Sequence, residues 1–203
     1  GRFHHAQSQI HRFLNCIGGY TRSVNTYSYA AAEVIVPHVL GNFTRLLPRH
    51  TSWASLARHC ELFVAFGGLA LGNGQMGNGG TGRHVQREGY ESAVRAGVEF
   101  INVSPRQLDL EKPAPPRTIQ LRPNSDTALI LALCRTLRAE GLADDAFLAR
   151  YTVGYDRFAA YIDGETDGVC KDAEWAAELT GVPAAEIAAL ARKMATRRTM
   201  VSI

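Results

Sequence analysis

Three short apolar stretches each run into a cluster of residues suited to a phosphorylated ligand. Glu61-Leu62-Phe63-Val64-Ala65-Phe66 ends at Gly67-Gly68-Leu69, and Val98-Glu99-Phe100-Ile101-Asn102-Val103 ends at Ser104-Pro105-Arg106. A shorter stretch opened by Arg117 ends at Arg122-Pro123-Asn124-Ser125-Asp126. Glycine has no side chain, so a backbone there can approach a diphosphate closely enough for N–H groups to bond to it. Arg106 can add charge-assisted bonds to the same oxygens. Asp126 suits two tasks. It caps the helix opened by Thr127, Ala128 and Leu129, or its carboxylate accepts the paired N–H donors on the edge of a guanine.

Strands must bring these clusters together. All three are short, lack clean alternation and lie between helical segments, the pattern of a parallel sheet covered on both faces. Such open α/β sheets hold nucleotides outside the carboxyl ends of their strands. The pattern therefore predicts a Rossmann-like three-layer α/β domain whose strand ends form one dinucleotide-binding edge, with part of an adjoining domain.

Helices account for most of the remainder. Phe3 to Ile17 shows helical periodicity and stops at Gly18-Gly19. Ser28 to Leu40 is a second helix, with Ser28 as its cap and Pro37 implying a kink or an early stop. Thr51 to Arg58 is a short helix around Trp53, and Arg83 to Ala96 is the crossover between the first two strands. Asp126 to Glu140 is the strongest helix in the chain, closed by Gly141. Helices over Asp144–Arg150, Tyr155–Tyr161 and Asp172–Leu179 follow. The last runs from a first turn containing Pro183 to about Ala195. Trp53 and Trp175 sit in apolar helical frames and are read as core. Asp109 to Arg117 is a proline-rich extended loop. Leu69 to Gly82 is rich in glycine but fits neither the P-loop nor the Rossmann glycine spacing. It either closes over a ligand or partner domain or is mobile; both readings stay open.

Composition excludes several classes. With 203 residues, 46% hydrophobic, 20% charged and a net charge of +3, the chain is an ordinary globular sequence without the basic excess of a nucleic-acid binder. No apolar run approaches the ~20 residues of a membrane span. Cys16, Cys60, Cys134 and Cys170 are far apart and read as free thiols. The histidines, including the i, i+7 pair His4 and His11, show no ligand spacing. The chain starts without Met and Thr199-Met200-Val201-Ser202-Ile203 looks like the start of a strand. Both ends (1–20 and 199–203) are expected to be cut elements belonging to neighbouring domains of a longer protein, although no linker divides the sequence.

The order of several stretches resembles the dimethyl sulfoxide reductase family of molybdenum enzymes, which includes trimethylamine N-oxide and biotin sulfoxide reductases. These stretches are Asn25-Thr26-Tyr27-Ser28-Tyr29-Ala30-Ala31-Ala32, Val36-Pro37-His38-Val39-Leu40-Gly41, Thr51-Ser52-Trp53, Arg122 to Leu129 and Tyr151 to Phe158. Gly164-Glu165-Thr166-Asp167-Gly168 and Ala173-Glu174-Trp175-Ala176 continue it. The likeness is collinear and covers nearly the whole chain. It implies a central fragment of an enzyme that removes oxygen from an S- or N-oxide, using bis-molybdopterin guanine dinucleotide and an electron-donor protein or reductant, in the periplasm or the cytoplasm.

The same resemblance implies that Gly67, Gly68 and Leu69 lie along the pyrophosphate or pterin. Asn102, Ser104, Pro105 and Arg106 lie near ribose and guanine, Asp126 pairs with the guanine N1–H and N2–H₂, and Ser28 lies near the same cofactor. Two departures stand out. Ser104 replaces the Asp that many relatives carry, and Gly68-Leu69-Ala70 replaces Ala-Asn-Pro or Ala-Asp-Pro. The serine that binds molybdenum in this subgroup lies in a Gly-Ser-Tyr-Gly-Trp stretch expected just upstream of Gly1. Two rivals are a stand-alone nucleotide-binding α/β domain and a non-enzymatic partner of a molybdoenzyme.

Overall fold

The computed structural model describes residues 6–22, 24, 29–46, 49–72, 74, 76–77, 80–81, 84–106 and 117–203. The chain divides into two compact units, 1–50 and 51–203. No change of composition marks that boundary, which is why the sequence showed no linker there. The first unit contains α1 (Ala6–Cys16), α2 (Ala30–Val39) and α3 (Phe43–Leu46). Pro37 lies inside α2, which stops two residues later with the Leu40 amide on the Val36 carbonyl at 2.8 Å.

The second unit is built on a four-stranded parallel sheet. Its strands are β1 (Leu62–Phe66), β4 (Glu99–Val103), β5 (Arg117–Ile119) and β6 (Thr199–Ser202), in the order β5-β4-β1-β6. Between β1 and β4 lie a two-stranded antiparallel ribbon, β2 (Met76–Gly77) with β3 (Gly80–Thr81), and then α5 (Gln86–Arg95). The proline-rich loop anticipated over 109–117 falls outside the described residues as far as 116.

Alternation along each strand sends side chains to two separate cores. Leu62 and Val64 of β1, with Ile101 and Val103 of β4, face one cluster. That cluster is completed by Leu129 and Leu133 of α6 (Asp126–Ala139), Ala176 of α9 (Ala173–Thr180), and Ile187 and Leu190 of α10 (Ala184–Thr196). Phe63, Ala65 and Phe100 face the opposite cluster, with Leu56 of α4 (Trp53–His59) and Tyr90 and Ala93 of α5. Trp53 stacks on Phe63 with centroids 6.4 Å apart, and Phe63 stacks on Phe100 at 5.2 Å. Both tryptophans pack against these cores. Helices therefore cover both faces, as the strand pattern predicted.

Side-chain caps fix several helix starts. Ser52 Oγ accepts from the Ser55 amide at 3.2 Å, Asp144 from Phe147 at 2.9 Å, and Asp172 from Trp175 at 2.9 Å. Asp144 opens α7 (Asp145–Tyr151), which α8 (Tyr155–Ile162) follows. Pro183 is the N-cap of α10, one position before its first turn.

One assignment needs correction. The stretch 199–203 was expected to belong to a neighbouring domain, but β6 pairs in parallel with β1, from Leu62↔Thr199 to Ala65↔Ser202. The Glu61 amide donates to the Arg198 carbonyl at 2.9 Å, and Arg198 Nη2 lies 2.8 Å from Glu61 Oε1. Four residues with no internal pattern do not announce their partner; the pairing is decided by this non-local clasp.

Candidate dinucleotide-binding edge

The three strand ends singled out in the sequence lie side by side. Phe66 is in register with Val103, and Val103 with Ile119. The Gly67 amide donates to the Val103 carbonyl at 2.9 Å, and the Ser104 amide to the Ile119 carbonyl at 3.2 Å. Read in chain order, the sheet runs 3-2-1-4. Its topological switch point therefore lies between β1 and β6, where open α/β sheets leave a crevice at the carboxyl ends.

Gly67 and Gly68 leave β1 with φ of 80° and 84°, a left-handed conformation that glycine adopts at little cost. A Cβ on Gly67 would meet nothing within 4 Å, so the space beside it is open. Its amide, however, is engaged by the sheet. The Gly68 and Leu69 amides that follow it make no hydrogen bond among the described residues. The unpaired donors after β1 thus begin one residue beyond Gly67.

Asn102 is 1% exposed on β4. Its Nδ2 donates to the Arg106 carbonyl at 3.3 Å, while its Oδ1 is buried without a hydrogen-bond partner among the described residues. Such an orphaned acceptor is uncommon and calls for a donor. Ser104 is turned inward, and its Oγ accepts the Arg106 amide at 3.2 Å. It shapes the turn that leaves Pro105 and Arg106 exposed. The Arg106 guanidinium has no ion pair among the described residues.

Asp126 does not cap its helix. Arg122-Pro123-Asn124-Ser125 forms a turn with Pro second and Asn124 at φ 65° third, closed by the Ser125 amide on the Arg122 carbonyl at 3.3 Å. That turn makes Ser125 the N-cap and Asp126 the first helical residue. Ser125 itself makes no side-chain cap; its Oγ donates to the Arg122 carbonyl at 2.6 Å. The half-buried Asp126 carboxylate complements the positive helix end and has no hydrogen bond among the described residues.

Three residues hold these turns: Gln120 and Gln86, which no motif marks, and Arg122, for which the sequence gives its place in the loop but not its contacts. Gln120 Nε2 donates to the Pro105 carbonyl at 3.0 Å, tying the turn after β4 to β5. Arg122 Nη1 donates to the Glu178 carbonyl at 2.6 Å, and the Arg122 amide to Thr180 at 2.9 Å, so the Asp126 turn is anchored on the end of α9. Gln86 holds the loop after Gly68. Each is an ordinary polar residue beside a loop, and only the fold shows what it touches. Ser28 lies outside the described residues.

Elsewhere, burial pushes the Tyr90 phenol and the Cys60 and Cys134 thiols upward. These groups lie away from the strand ends. Among the described residues no cluster of His, Cys, Asp or Glu could hold a metal ion, and no helix is long and apolar enough to cross a membrane.

The parallel sheet with helices on both faces and a switch point beside a glycine loop defines a Rossmann-like α/β domain. No family model matches the chain. Over 203 residues, 100% of the chain, it is 40% identical to the biotin sulfoxide reductase of Cereibacter sphaeroides, covering 27% of that protein. It is 35% identical over 202 residues to the dimethyl sulfoxide/trimethylamine N-oxide reductase of the same organism, covering 100% of the chain and 24% of the relative. The trimethylamine-N-oxide reductase of Haemophilus influenzae is 32% identical over 99% of the chain and 24% of its own length. The fold is shared with acetylene hydratase from Pelobacter acetylenicus, at a TM-score of 0.56 and 21% identity over 72% of this chain and 18% of that one. Over its whole length the chain is thus similar to a segment of the sulfoxide and N-oxide reductases of the dimethyl sulfoxide reductase family. It spans about a quarter of the length of the curated relatives it matches.

Proposed function

We propose that this chain is a segment of a longer molybdopterin-dependent reductase of S- or N-oxides, and that it binds the guanosine arm of one of two molybdopterin guanine dinucleotides. The relatives' names support the reaction class: they are reductases of biotin sulfoxide, dimethyl sulfoxide and trimethylamine N-oxide. The observation that carries the binding role is the line of strand ends, Phe66, Val103 and Ile119, in register on one edge.

The residues present fit such a group. Two free amides at Gly68 and Leu69 suit a diphosphate, and the open space beside Gly67 admits it. The exposed Arg106 guanidinium adds a second anchor for phosphate oxygens. Asn102 Oδ1 is an acceptor awaiting a donor such as a ribose hydroxyl. Asp126 offers two carboxylate oxygens to the paired donors of guanine, an edge that adenine lacks. The cofactor, when bound, supplies the oxygen-atom transfer chemistry, and electrons reach it from a donor protein or reductant. The role of these residues is placement: they hold the tail so that its reactive end has one position.

The test is full-length protein carrying Asp126→Ala. It should lose most of its affinity for the guanine arm and purify poor in molybdenum. Wild-type molybdenum content in that variant would overturn the assignment.

A further inference from the structure

Gln86 is the first residue of α5, the helix that follows the glycine loop. Its side chain does not face solvent as an opening polar residue ordinarily does. Nε2 reaches back to donate to the Leu69 carbonyl at 2.9 Å and, more weakly, to the Ala70 carbonyl at 3.4 Å. Gly74, further along the same loop, packs closely against it. A Cβ added at Gly74 would lie 1.8 Å from Gln86 Oε1 and 2.8 Å from Gln86 Cβ. The Gly74 amide in turn donates to the Leu71 carbonyl at 3.2 Å. One side chain thus bonds the Leu69 and Ala70 carbonyls and lies against Gly74, while Leu69 and Leu71 rest on the core.

In a trans peptide the C=O and N–H of one plane point in opposite directions. Holding the Leu69 and Ala70 carbonyls toward Gln86 therefore turns the amides of Ala70 and Leu71 away from it. Neither amide makes a hydrogen bond among the described residues. With Gly68 and Leu69 they form a run of four consecutive unpaired N–H groups beside the switch point. Successive backbone amides of this kind bind anions.

We propose that Gln86 is a positioning residue whose hold on the Leu69 and Ala70 carbonyls aims the Ala70 and Leu71 amides at a diphosphate. This inference rests on the reading of the edge as a guanosine diphosphate site. It extends that site past Gly68 and Leu69 and divides its labour: the loop answers to phosphate, Asp126 to the base.

Calorimetric titration of full-length protein prepared without cofactor, using GDP and guanosine as probes, tests it. Wild type should bind GDP more tightly than guanosine. Gln86→Met keeps the volume and removes the donor; it should weaken GDP about tenfold, on the order of one hydrogen-bonded constraint, and leave guanosine unchanged. Gly74→Ala, which drives the Gln86 side chain aside, should give the same split with Gln86 still present. Asp126→Ala should weaken both probes. GDP binding unchanged in Gln86→Met and Gly74→Ala would overturn the role of Gln86 and leave the site reading intact. Equal losses for GDP and guanosine would make Gln86 a general structural support and overturn the inference too. Wild-type protein that does not bind GDP would remove the site reading, and this inference with it.

Discussion

Gly67 donates its amide proton to Val103 at 2.9 Å, one residue beyond the register pair Phe66↔Val103. The chain leaving β1 is therefore tied to β4 before it turns into the glycine loop. Gly67 holds φ at 80° with nothing within 4 Å of an added Cβ. Gly67→Ala should cost roughly 1–2 kcal/mol, all of it backbone strain. A shifted urea midpoint with an unchanged slope is the expected result; a markedly larger loss would mean a contact at Gly67 that this geometry does not contain.

Gly89 lies in α5 under Trp53, and a Cβ there would fall 2.1 Å from Trp53 Cγ. The indole cannot retreat freely because it stacks on Phe63. Gly89→Ala should destabilise by roughly 1–3 kcal/mol through overpacking. Near-UV circular dichroism in a Trp175→Phe background should change with it, since Trp53 is then the remaining tryptophan. Full stability with an unaltered aromatic signal would contradict this packing.

Lys171 is 2% exposed, and its Nζ donates to both Asp167 oxygens, at 2.7 and 2.6 Å, and to the Val169 carbonyl. The Asp167 carboxyl is held below its ordinary value of 3.8, first by the hydrogen bond from Lys171 and then by the Val169 amide. A carboxylate pKa that is lower folded than unfolded stabilises the fold above the unfolded value. That contribution should fade as pH falls below 3.8 and through the folded value. Asp167→Asn should flatten the stability profile in that acidic window, measured by denaturation at a series of pH values. An identical slope in both proteins would refute it.

Cys16 is exposed on α1, whereas Cys60 and Cys134 are partly buried with thiols pushed upward by desolvation. Cys60 also donates to the Leu62 carbonyl at 3.1 Å. Since thiolate is the reactive form, Ellman's reagent at mildly alkaline pH should label Cys16 first. Cys16→Ser should remove the fast phase. A fast phase surviving that substitution would place an accessible thiol elsewhere.

Local signals carried much of this fold. β1 and β4 are apolar runs stopped by Gly67 and by Ser104-Pro105, and α6 is an apolar periodic run closed at Gly141, so each was readable to within a residue or two. Non-local relations were not. Thr199–Ser202 gains its place only by pairing with a strand more than a hundred residues earlier, and no short pattern encodes that partner. Residue types alone left open whether Asp126 caps its helix, because the helix start depends on Asn124 adopting positive φ, which they permit but do not dictate. Gln86 looks like a solvated helix opener until the loop carbonyls are brought beside it.

The strip of hydrogen bonds joining Gly67 to Val103 and Ser104 to Ile119 has one more consequence. β1 and β5 stand two strands apart in the order β5-β4-β1-β6, an interval of roughly 10 Å. Because β4 grips both neighbours at their tips, that interval cannot stretch or shrink without breaking the sheet. The edge is a fixed gauge: on the proposed reading, a molecule held at both limits must match its length, and one lacking a link between phosphate and base reaches a single limit.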